Sequence, residues 1–179
     1  LLIKFFPFSL SFFFFFVPFI NFPQINEIGN NLNLTDDSIT EINIGFNFMY
    51  YGETYDKLSI CSNGWVSFLP CLKDDNQDNN CNSLAYFSNN SISNPLGPYG
   101  MIAPFFDDLD DDTQNPIMNV YYYLTNNADS LSLIVQWDKV ANNKTNKNCP
   151  DSDCEKETFQ LILDGANKSQ AGNGEIIFQ

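Results

Sequence analysis

The 179-residue sequence predicts an all-β fold, an antiparallel β-sandwich-like single domain with long loops, on three observations. Apolar residues recur at every second position in several short stretches, which is the spacing of half-buried strands. No window of 11 or more residues in the body holds the i, i+3, i+4, i+7 spacing of an amphipathic helix. The gaps are rich in Asn, Asp, Gly, Pro and Ser, so many short strands alternate with turns, the pattern of a sandwich or barrel.

The first 22 residues stand outside this fold. Lys4 precedes a hydrophobic stretch containing the unbroken Phe12–Phe16 run, as a positive n-region precedes an apolar h-region. A signal peptide that lost its start is the leading expectation. A membrane segment is the alternative, for which Pro7 and Pro18 are awkward but tolerable. Residues 23–37 read as an irregular polar linker and 38–179 as the β domain. The run Glu175-Ile176-Ile177-Phe178-Gln179 reads as a strand cut by the end of the chain.

Within the body, Ile42, Ile44, Phe46 and Phe48 alternate with polar residues and glycine and predict the first strand. Leu58–Ile60 and Trp65–Phe68 follow, joined through Ser62-Asn63-Gly64, where the Asn-Gly pair is expected to supply the positive φ angles of a tight hairpin turn. Further strands are expected at Met101–Phe106, Met118–Leu124, Leu131–Val140, Thr158–Leu163 and Glu175–Phe178. Trp65 and Trp137 sit in these alternating patterns, so both are expected to face the core. The Asn/Asp/Ser-rich stretch from Leu69 to Pro98 reads as a surface insertion.

Charge restricts the function classes. Eight basic against 22 acidic residues give a net charge of −14, with no basic stripe to neutralise phosphates, so nucleic acid and anionic membranes are poor partners. The sequence contains no His, which removes Ser-His-Asp and Cys-His catalysis and His-ligated zinc.

The strongest chemical feature is a run of five carboxylates in six positions, Asp107, Asp108, Asp110, Asp111 and Asp112. Such crowding favours a hard cation or raised pKa values, and Asp107, Asp108, Asp110 and Asp112 are the candidate calcium ligands. Thr113 and Asn119 stand where an EF-hand loop needs Gly and Glu, so a solvated acidic loop is the plain alternative. No cofactor other than calcium is expected. Among the five cysteines, Cys71 with Cys81 and Cys149 with Cys154 bracket polar loops and are the expected disulfides, leaving Cys61 odd. Sequons stand at Asn33, Asn89, Asn143 and Asn167, all in expected loops.

Three blocks carry a family resemblance: Phe46-Asn47-Phe48-Met49-Tyr50-Tyr51-Gly52, Ile60-Cys61-Ser62-Asn63-Gly64-Trp65, and Ile102-Ala103-Pro104-Phe105-Phe106-Asp107-Asp108. Val120-Tyr121-Tyr122, Val135-Gln136-Trp137-Asp138 and Thr158-Phe159-Gln160-Leu161 continue the order. From about Ile42 to its end the chain resembles the nidogen-like (NIDO) extracellular domain. Cys61 departs from the usual Ser or Thr, Phe106 from the frequent Trp, and the Leu69–Pro98 insertion is long. The resemblance implies a non-catalytic module of cell-matrix or cell-surface adhesion, with a matrix or surface protein or glycan as partner and no catalytic residues. The rival reading is a carbohydrate-binding or carbohydrate-acting surface protein using residues 107–112.

Overall fold

The computed structural model describes residues 24–69, 100–110, 117–127, 130–142, 156–168 and 174–179. They form two antiparallel sheets packed face to face, with no helix among them. The first sheet contains β1 (Asn30–Asn31), β6 (Leu109–Asp110), β7 (Val120–Asn127), β8 (Ser130–Asn142), β9 (Lys156–Lys168) and β10 (Gly174–Phe178). Its order is β1-β7-β8-β9-β10, and β6 pairs with the far end of β8 at Ala141 and Asn142. Because β9 occupies one edge of β8, β7 and β6 share the other edge end to end. The second sheet runs β2 (Ile39–Tyr50), β3 (Glu53–Cys61), β4 (Trp65–Ser67) and β5 (Met101–Ile102).

The alternation predicted for β2 is present, with Ile44 and Phe48 buried and Asn43, Gly45 and Asn47 exposed. In β8, Leu133, Val135 and Trp137 point to one face and are fully buried. These residues meet Leu58, Ile60 and Val66 of the second sheet in one core. The register of β2 against β3 shifts between Asn43 and Phe48. Gly45 lies in that bulge at φ +86°, and a Cβ there would stand 2.4 Å from Leu124 Cδ2 of the opposite sheet. The missing side chain lets the two sheets approach, which is one reason for a glycine inside a strand.

Both tryptophans are buried, as their strand patterns predict. Trp137 stacks on Phe159 (4.9 Å between centroids, 15°), while Trp65 packs beside Cys61 in a smaller cluster with Ile39, Met101 and Phe106. The Trp65 Nε1 has no hydrogen-bond partner among the described residues.

Three local expectations are corrected. The strand expected over Met101–Phe106 ends at Ile102, because Pro104 has no N–H for the ladder and the chain turns away. At Ser62-Asn63-Gly64 only Gly64 has positive φ (76°), so the three-residue turn differs from the two-residue type in which Asn and Gly are both left-handed. That pattern occurs instead at Tyr51 (φ 49°) and Gly52 (φ 84°), between the paired Tyr50 and Glu53. Residues 24–37 are mostly irregular in backbone but packed rather than loose. Ile25 and Leu34 are buried, and Asn30 and Asn31 pair with Tyr122 and Tyr121.

Amide side chains hold this N-terminal strap to the first sheet. Ile25 N donates to Gln136 Oε1 (2.9 Å), Gln136 Nε2 donates to Gln24 Oε1 (2.9 Å), and Gln160 Nε2 donates to Gln136 Oε1 (2.6 Å). Asn26 Nδ2 donates to Asp138 Oδ2 (3.2 Å). Gln136 and Gln160 are buried, so these bonds satisfy groups that would otherwise be costly to bury.

Candidate cation site at the acidic junction

Three segments distant in sequence meet at one end of the sandwich: the turn Thr35-Asp36-Asp37-Ser38, the turn Ser62-Asn63-Gly64, and the loop Phe105–Asp110 that leads into β6. The first turn is closed by its own side chain, since Thr35 N donates to Ser38 Oγ (2.9 Å) and Ser38 Oγ donates to Thr35 O (2.7 Å). It is locked to the second turn by Ser38 N donating to Ser62 Oγ (3.0 Å) and Ser62 N donating to Ser38 O (2.9 Å). Asp37 takes a left-handed backbone (φ 49°), which Asp tolerates better than most residues.

Asn63 is the connector. Its Nδ2 donates to Asp37 Oδ1 (2.8 Å) and its Oδ1 accepts from Leu109 N (2.9 Å), while the residue is fully buried. Beside it, a Cβ on Gly64 would lie 1.8 Å from the Phe105 carbonyl oxygen, so no other residue fits between the turn and the loop.

This packing gathers carboxylates. Ligand oxygens of Asp36, Asp37 and Asp108 all lie within 4.8 Å of one another. Calcium bonds oxygen at ~2.3–2.6 Å, so two ligands of one ion can stand about 4.8 Å apart, and a single ion could reach all three. Asp36 is exposed, with Asp37 and Asp108 half-buried beside it. Partial loss of water around its carboxyl, then the charges of Asp110, Asp37 and Asp108, push it up to about 6.

Of the four carboxylates singled out from sequence, Asp108 joins this group. Asp110 lies in β6 and acts on Asp36 through its charge. Asp107 turns its Oδ1 toward Asp108 N (3.0 Å) and its carbonyl accepts from Leu109 N (2.9 Å), both of which shape the loop. Asp112 lies outside the described residues. Asp36 and Asp37 were not anticipated. The Thr-Asp-Asp-Ser string was their only signal, a turn composition that carries no hint of Asp108 some seventy residues away.

Asn33, the first residue of its sequon, is exposed at φ 52° and lies outside any strand. Asn167, expected in a loop, lies instead in β9, because that strand runs on past Leu163 to Lys168, and Asn89 and Asn143 lie outside the described residues. So do Cys71, Cys81, Cys149 and Cys154, and the segment 1–22. Cys61 carries a free, buried thiol, and burial pushes its pKa up to about 12.

Two of the junction's three segments, the Ser62-Asn63-Gly64 turn and the loop from Phe105, belong to sequence blocks that carried the resemblance, and comparison with known families agrees. A family model described as NIDO related matches residues 19–168. The chain belongs to the NIDO-related family. No curated protein and no solved structure matches it. In this NIDO-related domain the Ser-Asn-Gly turn and the Ile-Ala-Pro-Phe segment are neighbours in space, with Gly64 seated on Phe105 and Asn63 bonded to Leu109. The match begins ahead of the first alternating strand and so takes in the strap and the Asp36–Asp37 turn as well.

Proposed function

We propose that the chain is a non-catalytic extracellular interaction module of cell-matrix or cell-surface adhesion type. Membership of the NIDO-related family over residues 19–168 is the observation that carries the reading. The charge of −14 and the lack of His favour a protein or glycan partner over nucleic acid and argue against His-based catalysis. The hydrophobic segment 1–22 supports export to the cell exterior or surface, where the cysteine pairs 71–81 and 149–154 would form disulfides and the four sequons would be glycosylated.

The reading extends to calcium at the acidic junction. Asp36, Asp37 and Asp108 would supply carboxylate ligands, with Asp110 adding charge, and the ion would brace the strap against the loop before β6. The same geometry disfavours a carbohydrate-acting enzyme. Three carboxylates whose oxygens converge within 4.8 Å suit a cation, whereas a glycosidase needs two carboxyl groups on opposite sides of a sugar.

Expression of the tagged chain in a secretory eukaryotic cell line tests the module reading. Release into the medium followed by retention on decellularised matrix supports it; retention inside the cell, or no matrix retention, removes it. Calorimetry at millimolar calcium tests the metal: heat of binding that is lost in Asp36→Asn and Asp108→Asn supports the site, and no heat with the unsubstituted chain removes it.

A further inference from the structure

The β2–β3 hairpin ends in a residue that turn stability alone would not select. Tyr51 and Gly52 both take left-handed backbones in a two-residue loop, a setting that favours Asn, Asp or Gly at the first position. Tyr51 is instead a large aromatic, 84% exposed.

Its ring is held by other rings. Tyr51 meets Tyr50 edge-on (4.6 Å, 80°), Tyr50 leans on Phe68 (4.8 Å), Tyr55 stacks on Phe68 (5.0 Å), and Phe68 stacks on the buried Phe48 (5.4 Å). An aromatic ladder therefore runs from the core to Tyr50, whose ring Tyr51 meets at the exposed tip, so that part of the freedom of the Tyr51 ring is already lost before a partner binds.

Charge identifies the partner chemistry. Glu53 pairs with Tyr50 in the strand register and shares a face with Tyr50 and Tyr55. Glu53 and Asp56 are exposed, while the nearby cation Lys57 is engaged by Glu41 (2.9 Å). The tip thus offers aromatic faces beside carboxylates, on a chain of net charge −14. A guanidinium or ammonium group is complementary to both features, stacking on the tyrosines while its N–H groups reach a carboxylate.

We propose that the hairpin tip, Tyr51 with Tyr50 and Glu53, docks on a protein partner that presents exposed arginine or lysine side chains. This rests on the interaction-module reading above and names the surface and the partner class.

Fluorescence anisotropy of a labelled peptide of alternating arginine and glycine, titrated with the full chain in about 0.1 M salt, tests it. Tyr51→Asn places a favoured residue in the turn, so the fold persists and Tm does not fall, while affinity drops about tenfold or more. Glu53→Gln weakens binding several-fold, and Glu27→Gln, which removes the same charge from the strap, changes it less than about twofold. Unchanged affinity in Tyr51→Asn, or equal losses in Glu27→Gln and Glu53→Gln, overturns the proposal in favour of general charge attraction. Tyr51-dependent binding of a neutral oligosaccharide without binding of the peptide also overturns it and assigns the tip to a glycan. Matrix retention of the chain separates the two levels. Retention that survives Tyr51→Asn removes the tip and leaves the module, whereas no retention of the unsubstituted chain removes the module and leaves the peptide titration to decide the tip.

Discussion

The indole Nε1 of Trp137, in β8, donates to the carbonyl oxygen of Cys61 at the end of β3 (3.1 Å), a buried hydrogen bond that spans the two sheets. Trp137→Phe keeps most of the volume but removes the donor that joins the two sheets, so it is expected to cost roughly 1–3 kcal/mol. Trp137→Ala adds a cavity and is expected to cost about 3–5 kcal/mol, a large share of a domain's stability. Urea unfolding of both variants measures this. A Phe variant as stable as the parent would mean that the inter-sheet bond contributes nothing.

Two glycines with left-handed backbones should respond very differently to substitution. Gly52→Ala meets nothing within 4 Å and carries only the backbone penalty, about 1–2 kcal/mol. Gly64→Ala would drive a Cβ to 1.8 Å from Phe105 O and must displace the loop that carries Asp107 and Asp108, so the variant is expected not to fold. Comparable melting temperatures for the two would contradict the packing described at the junction.

The acidic junction predicts a pH dependence of definite sign. Asp36 has a folded pKa of about 6 against an ordinary value of 3.8, so the folded state holds the proton more tightly. Stability contributed by the protonated form is present below the lower value and is lost as pH rises through about 6. Asp36→Asn mimics the neutral carboxyl. In EDTA it should match the parent near about pH 4 and exceed it near about pH 7, and millimolar calcium should narrow the gap at the higher pH by binding only the folded parent. A stability difference that is the same at both pH values would contradict this.

Thiol chemistry is expected to distinguish Cys61 from the other four cysteines. Its burial and raised pKa make it inert to iodoacetamide in the folded protein, and denaturation without reductant should expose one alkylatable thiol per chain. Non-reducing peptide mapping should then show Cys71 linked to Cys81 and Cys149 to Cys154. A linked peptide containing Cys61 would contradict the assignment.

Sequence made the two-sheet architecture legible wherever burial imposed a period of two. Ile44 and Phe48 of β2 and Leu133, Val135 and Trp137 of β8 are such cases, because each needs one face in the core. It was less informative where tertiary contacts decide. β1 is only two residues long and exists because β7 offers an edge to pair with, so Asn30 and Asn31 read as linker. The acidic loop was visible as composition, but its partners Asp36 and Asp37 were not. Their approach to Asp108 depends on Asn63 bonding two loops at once, a relationship with no local periodicity. In the Tyr51-Gly52 turn only the glycine is a turn signal, since a tyrosine in a left-handed conformation has no pattern to announce it.

The central claim, that this NIDO-related domain is an interaction module, is tested most directly by equilibrium binding of the purified, labelled chain to decellularised matrix, with unlabelled chain as competitor. The account predicts saturable binding that the unlabelled chain displaces. Binding that rises linearly without saturation, or that excess unlabelled chain leaves unchanged, would contradict it.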